Sequence, residues 1–318
     1  MTIFAAVIPL HNKAPYVGAA MASVLAQSHP PAEIVVVDDA STDAGPAVVE
    51  ALADRRIRIL RRETAGPGGY AARNLAVAQS SAPWIAFLDA DDAWHPDHLE
   101  ALARLIARWP DAACVATRYD HVFHDRREAD HVAGPFAGAE PARVGFAAFL
   151  SAWLATGHCP LWTGALAIRR DVFEAAGGFP EGRAERGGDK DLWLRVMRLA
   201  DLGFLPRSTA GFRREAAGKL TDRIDTRRLP CLVRTARAMP AIGEERRLLR
   251  RLINQEIKLY ARWSARSGGR PHLSLGDLAW PASPAAIGSV VAAGIVPGRL
   301  LRLAHALEHR RRRWMRTG

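Results

Sequence analysis

Short apolar runs alternate with stretches of helical spacing through the first third of the chain. Ile3 to Leu10 and Glu33 to Val37 are mostly apolar runs closed by polar residues, the pattern of strands buried on both faces of a parallel sheet. Between them Val17, Met21, Val24 and Leu25 recur at helical spacing over Ala14 to Ala26, and Pro15 stands near the start, where its missing N–H costs little. This is one strand–helix–strand unit. The pattern then repeats, with a helix around Ala44 to Ala53, a strand at Ile57 to Leu60, a helix over Gly69 to Gln79 and a strand at Trp84 to Leu88. A helix over His98 to Arg108 and a strand near Ala112 to Tyr119 follow. Such alternation predicts a doubly wound, mostly parallel α/β sheet flanked by helices, in which ligands sit beyond the carboxyl ends of the strands.

The periodicity fades from His121 to Arg143, which reads as a long loop or irregular hairpin. It returns as a helix from Phe146 to Leu154, a strand at Gly164 to Ile168 and a helix near Asp191 to Arg198. Glu244 to Arg266 predicts a basic amphipathic helix with Leu249, Leu252, Ile253, Ile257, Tyr260 and Trp263 along one side, stopped by Gly268 and Gly269. A boundary between about residues 225 and 240 divides an α/β domain over 1–230 from a basic helical extension over 231–318.

Charge sharpens that division. The net charge of +11 is uneven: residues 205–318 hold 24 Lys and Arg against 8 Asp and Glu, while residues 1–204 carry a net −5. A basic end of this kind suits an anionic surface or substrate. Three widely spaced cysteines, Cys114, Cys159 and Cys231, form no disulfide framework or zinc pattern, so a reducing, cytoplasmic setting is expected. The start of the chain shows no basic n-region or cleavage site, and no secretory signal is expected. The apolar stretch Ala285 to Val296 falls short of the roughly 20 residues that a membrane span needs.

The chemistry-bearing residues lie at predicted strand ends. The strand Ile34 to Val37 runs into Asp38 and Asp39, followed by Ser41, Thr42 and Asp43. One of these aspartates could cap the next helix, Asp43 best of all, and another could accept a ring N–H from a base. The strand ending at Leu88 leads into Asp89, Asp91 and Asp92. Carboxylates so close raise one another's pKa unless a cation sits among them, and a divalent ion, Mg2+ or Mn2+, is the simplest one. Gly66 to Gly69 lets backbone approach a ligand, with Arg73 in reach of a phosphate. Neither the P-loop nor the dinucleotide fingerprint is present. His121, His124 and His131 are read as a solvated loop, and Trp153 and Trp162 either stack on a sugar or pack in the core.

Taken together, Val7–Ile8–Pro9 with Asn12, Ser23–Val24–Leu25 with Gln27, the Asp-Asp-x-Ser-x-Asp run ending at Asp43, Ala72–Arg73–Asn74, and Leu88 to Asp92 with Trp94 and Pro96 resemble the family 2 glycosyltransferases of the GT-A fold. The resemblance continues through Thr163–Gly164, Arg169, Phe173, Gly177–Gly178–Phe179 and Asp189 before Leu192 to Arg195, to about residue 220. It implies an inverting transferase that moves a sugar from a nucleoside diphosphate sugar, UDP-linked by expectation, to a saccharide or lipid-linked hydroxyl acceptor. By the same resemblance Pro9 and Asp39 frame the base, Arg73 lies near the nucleotide, Asp89 faces ribose or metal-bound water, Asp91 binds Mn2+ or Mg2+, Asp92 orients the donor sugar or acceptor, and Asp189 is the general base.

Two positions depart from the family pattern. Gly188 stands where a glutamate usually precedes Asp189, with Asp191 a candidate substitute, and Glu215 stands near a usual histidine. The basic tail, with Ile287 to Val296, Arg310 to Arg313 and Trp314, suggests a peripheral place on an anionic membrane face. The alternative function is an inactive nucleotide-sugar or nucleic-acid binder on the same fold, against which stand the intact Asp89, Asp91 and Asp189. Nucleic acid is not expected as a partner, because interleaved aromatics of the RNA-binding type are lacking.

Overall fold

In the computed structural model, residues 2–184, 186–216, 229–266 and 273–295 are described. Contacts divide the chain into two compact units, one over 1–184 with 188–220 and the other over 185–187 with 221–318.

The first unit is built on β1 (Phe4–Leu10), β2 (Glu33–Asp39), β3 (Ile57–Arg62) and β4 (Trp84–Phe87), with α1 (Ala14–Leu25), α2 (Gly45–Glu50) and α3 (Tyr70–Gln79) between them. β1 pairs in parallel with β2 and with β4, and β2 with β3, as the apolar runs predict. One face of β1 and β2, through Phe4, Ile8, Leu10, Ile34 and Val36, buries against Val17, Met21 and Val24 of α1. On the opposite side Phe87 meets Phe173, Phe179 and Trp193 at ring separations of 6.1, 5.4 and 6.4 Å.

The sheet order is β3-β2-β1-β4-β9-β6-β10-β5, which adds β5 (Ala93–Trp94), β6 (Cys114–Val122), β9 (Leu166–Arg169) and β10 (Leu202–Arg213). β9 runs antiparallel to β4 and to β6, so the doubly wound half gives way to a mixed half. The segment from His121 to Arg143 is a hairpin of β6 with β7 (Arg127–Ala129), followed by β8 (Ala142–Val144) against β10. Helices α4 (His98–Arg108), α5 (Phe146–Thr156), α6 (Arg170–Ala175) and α7 (Gly188–Leu199) complete the unit. Trp153 on α5 is fully buried, so it serves the core and not a sugar.

Sequence periodicity misses β10. Its residues include Gly203, Pro206 and Gly211, and the pairing with β6 shifts register between Leu205 and Ser208 and again before Ala210, which breaks any alternation.

The second unit holds α8 (Cys231–Ala238), α9 (Gly243–Arg266) and α10 (Pro284–Ile295). Leu249, Leu252, Ile253, Ile257 and Tyr260 of α9 are buried, as the amphipathic pattern predicts. Trp263, expected on the same side, lies under the Arg186 guanidinium at 4.2 Å. α10 packs on α9 and buries Ala286, Val290 and Ala293, so part of the apolar stretch serves the unit itself. Gly268, Gly269, Val296 and Arg310 to Trp314 lie outside the described residues. Among the described residues no helix is long and apolar enough to cross a membrane.

Candidate active site

The carboxyl ends of β1, β2 and β4 form one rim, and the loop between β3 and α3 ties them together. At the end of β2 the Asp39 carboxylate is 2% exposed and accepts hydrogen bonds from Arg62 and, at 3.1 Å, from the Gly66 amide. Two residues on, the Gly68 carbonyl accepts from Arg73 at 2.7 Å. Gly68 and Gly69 both have positive φ, 67° and 63°, a turn open to glycine. At Gly69 a side chain would also press on Pro9 at 3.3 Å, so glycine lets this loop lie close over the end of β1.

Arg73 is the hub of the rim. Its guanidinium, almost fully buried, forms an ion pair with Asp89 just past β4. Burial works against its charge, but the pull of Asp89, then Tyr70 and Asp189, outweighs it, and the proton is held more tightly than usual. Its Nε is buried and finds no hydrogen-bond partner among the described residues. Arg73 thus ties Asp89 to the loop between β3 and α3, and Asp189, in the first turn of α7, adds a smaller electrostatic pull on it.

The acidic run after β4 does not behave as a cluster of mutually repelling carboxylates. Each has its own partner from a different element: Asp89 has Arg73, Asp91 has Lys13 at 2.8 Å, and Asp92 accepts the Arg213 amide at 2.7 Å. The repulsion that suggested a divalent ion is thus already relieved by protein cations and a backbone donor. Asp92, expected beside the donor sugar, is 2% exposed, and its bond to Arg213 anchors the end of β10. Arg213 also donates from Nε to the Asp91 carbonyl at 3.1 Å.

Among the described residues no three or more His, Cys, Asp or Glu side chains surround one point. Mg2+ is commonly held by one or two carboxylates with substrate phosphates, which needs no such cluster. Asp91 and Asp89 have the oxygen chemistry for such a site. Glu215 is engaged elsewhere, accepting the His124 amide at 2.7 Å and lying 3.1 Å from its Nε2.

The remaining aspartates divide their labour. Asp38 accepts the Ser41 amide at 2.9 Å and shapes the turn, while Asp43 accepts the amides of Gly45 and Ala14, which open α2 and α1. Asp191 does not replace a carboxylate at position 188. It is buried on Arg195, whose guanidinium in turn holds the carbonyls of Ala176 and Gly178. The space beside Gly188 is taken by Tyr70: its hydroxyl accepts the Gly188 amide at 2.9 Å, and a Cβ there would stand 2.7 Å from the ring. Lys13, Arg62, Tyr70 and Arg213 escaped the sequence reading, since each gains meaning only from a partner on a distant element.

A cavity of about 180 Å3 opens beside this rim, walled by Arg62, Gly66, Tyr70 and Glu181. A larger cleft of about 480 Å3, lined by Arg104, Leu105, Arg108 and Arg207, carries none of these carboxylates.

Comparison with known proteins places this rim in context. A family model described as Glycosyl transferase family 2 matches residues 5–176, which takes in Pro9 to Asp92 but stops before Asp189. The succinoglycan biosynthesis protein ExoO of Rhizobium meliloti is 41% identical over 117 residues, 36% of this chain and 32% of that protein. The Escherichia coli protein WfgD, a UDP-Glc:alpha-D-GlcNAc-diphosphoundecaprenol beta-1,3-glucosyltransferase, is 38% identical over 94 residues, 30% of this chain and 37% of its own. The chain thus aligns with only about a third of the length of these relatives. The crystal structure of Staphylococcus aureus TarS residues 1–349 with UDP-GlcNAc superposes with a TM-score of 0.68 at 17% identity, over 92% of this chain and 81% of that one, and so shares the fold.

Proposed function

Because the chain belongs to glycosyl transferase family 2, we propose that it transfers a sugar from a UDP-linked donor to a hydroxyl acceptor in the synthesis of a cell-surface polysaccharide or glycolipid. The observation that carries this reading is the Arg73 hub: one buried guanidinium links Asp89 and, through the loop 66–69, the neighbourhood of Asp39. A donor laid along the rim would meet a base acceptor at Asp39, a cationic middle at Arg73 and a carboxylate at Asp189.

The reaction requires charge to be neutralised on the departing diphosphate and a proton to be taken from the acceptor. Asp91, with Asp89 beside it, would hold Mn2+ or Mg2+, which when bound supplies Lewis-acid neutralisation of the diphosphate. Asp39 would accept the base N–H, for which Arg62 must yield its present bond. Pro9 and the glycine turn shape the floor under the nucleotide. Asp189 would take the acceptor's proton from the face opposite the leaving group, so the anomeric centre inverts. Names among the relatives support the setting: ExoO for succinoglycan biosynthesis, WfgD for a diphosphoundecaprenol-linked acceptor and a UDP-Glc donor. The basic second unit would hold the enzyme on an anionic membrane face, where lipid-linked acceptors reside.

A thermal-shift panel of nucleoside diphosphate sugars, with and without Mn2+, tests the reading. A UDP-sugar is expected to raise the melting temperature in proportion to its binding. No shift with any nucleotide sugar would refute it.

A further inference from the structure

Lys13 ends the loop after β1 and occupies the N-cap position of α1. Its Nζ lies 2.8 Å from Asp91 Oδ2, and both side chains are only 14% exposed. The ammonium also stands 5.9 Å from the centre of the Tyr16 ring, and the Arg213 guanidinium stands 5.6 Å from the same ring. Two cations from opposite ends of the first unit therefore converge on one aromatic ring and on the turn that carries Asp91.

The position of Lys13 poses a conflict. An ammonium on a carboxylate oxygen and a divalent ion on the same carboxylate repel each other strongly at this range. Asp91 can serve one or the other. Lysine suits a reversible tenancy, since it is a compact point charge on a flexible four-carbon stem, and arginine suits a fixed one. Arg213 is fixed here, tied through its amide to Asp92 and through Nε to the Asp91 carbonyl.

We propose that Lys13 is an exchangeable occupant of Asp91. In the resting chain it neutralises Asp91 and keeps a free divalent ion from binding there. When the donor arrives, Asp91 releases Lys13, and the ammonium passes to the diphosphate and joins Arg213 in offsetting the charge of the leaving group. This rests on the donor reading and adds an order to it: ion and nucleotide are taken up together. Lys13 then has opposite effects on the two ligands, which a merely structural lysine would not.

The test uses the full chain, with Lys13→Met, Lys13→Arg and the double variant Lys13→Met/Asp91→Asn, each checked for an intact fold by circular dichroism. Mn2+ binding to nucleotide-free protein is read by electron paramagnetic resonance of the free ion, and UDP binding at saturating Mn2+ by calorimetry. The net worth of a hydrogen bond to a charged group corresponds to about tenfold or more in a binding constant. Lys13→Met is therefore expected to bind Mn2+ at least about tenfold tighter and UDP at least about tenfold more weakly than wild type. The double variant should lose the gain in Mn2+ affinity, and Lys13→Arg should retain the UDP affinity. Either constant left unchanged in Lys13→Met overturns the exchange while the donor reading stands. A wild-type chain that binds no nucleoside diphosphate, with or without Mn2+, takes down both.

Discussion

The structure sets the Gly188 amide against the Tyr70 hydroxyl, and replacing Gly188 gives a sharp test of how tightly the two elements are packed there. A Cβ at residue 188 would stand 2.7 and 2.9 Å from two carbons of the Tyr70 ring and 2.8 Å from Pro180 Cγ. Carbon atoms sit comfortably at about 3.5–4.0 Å. Tyr70 is 5% exposed and stacked on Phe179 with ring centres 5.9 Å apart, so a retreat into the cavity it walls would break that stack. Overpacking of this kind costs about 1–3 kcal/mol, and displacing the ring also sacrifices the Tyr70 hydroxyl's bond to the Gly188 amide, about 1 kcal/mol, so Gly188→Ala is expected to lose about 2–4 kcal/mol. In a Tyr70→Ala background only the contact with Pro180 Cγ remains, and the better helix propensity of alanine, worth up to about 1 kcal/mol, works against it, so the same change is expected to cost less than in wild type. Urea unfolding of wild type, both single variants and the double closes the cycle. A Gly188→Ala protein as stable as wild type, or single effects that simply add, would refute the idea that Tyr70 fills the space beside Gly188.

Three further outcomes follow from the same structure. His98 is fully buried, with Nδ1 2.6 Å from Thr209 Oγ1 and its ring stacked on Trp94, and burial pushes its pKa down to about 3 from 6.5. Since the unfolded chain binds a proton there first, stability is complete above pH 6.5 and drains away as pH falls toward 3. The loss from this group is about 2 kcal/mol between pH 7 and 5, read from urea midpoints, and His98→Gln should lack that part of the slope. Asp91→Asn and Asp189→Asn should each cut transfer by at least about 10²-fold, and near-normal turnover in purified Asp189→Asn would reject its role as base. Flotation with anionic liposomes should be lost on deleting residues 285–318, and equal flotation of the deleted chain would count against membrane attachment by that end.

The first half of the fold was readable because parallel strands buried on both faces, such as Val35–Val37 and Ile85–Phe87, must be continuously apolar. β10 was not readable, since its two register shifts accommodate Pro206 and glycines that look like a loop in one dimension. The acidic residues of the site stood out by their position after strands. Their partners did not: Lys13 lies 78 positions from Asp91, and Arg213 lies 121 from Asp92. Carboxylates in sequence proximity suggested mutual repulsion, whereas the fold gives each a separate counterpart. Asp191 misled for the opposite reason, because an acidic residue near the right place turned out to brace, through Arg195, the turn after α6.

The late position of β10 has a consequence for biosynthesis. This strand lies between β6 and β5 in the sheet, so two strands completed by residue 122 have no neighbour in common until residues 202–213 have been made. A chain emerging from the ribosome must carry an unfinished sheet, and a turn at Asp91 and Asp92 without its Arg213 anchor, while about 90 more residues are translated. Pairings this distant along the chain form slowly, so assembly of the catalytic rim is expected to be a late folding event. A premature stop before residue 213 would then leave adhesive strand edges exposed, a species for chaperones or proteases and not a smaller enzyme.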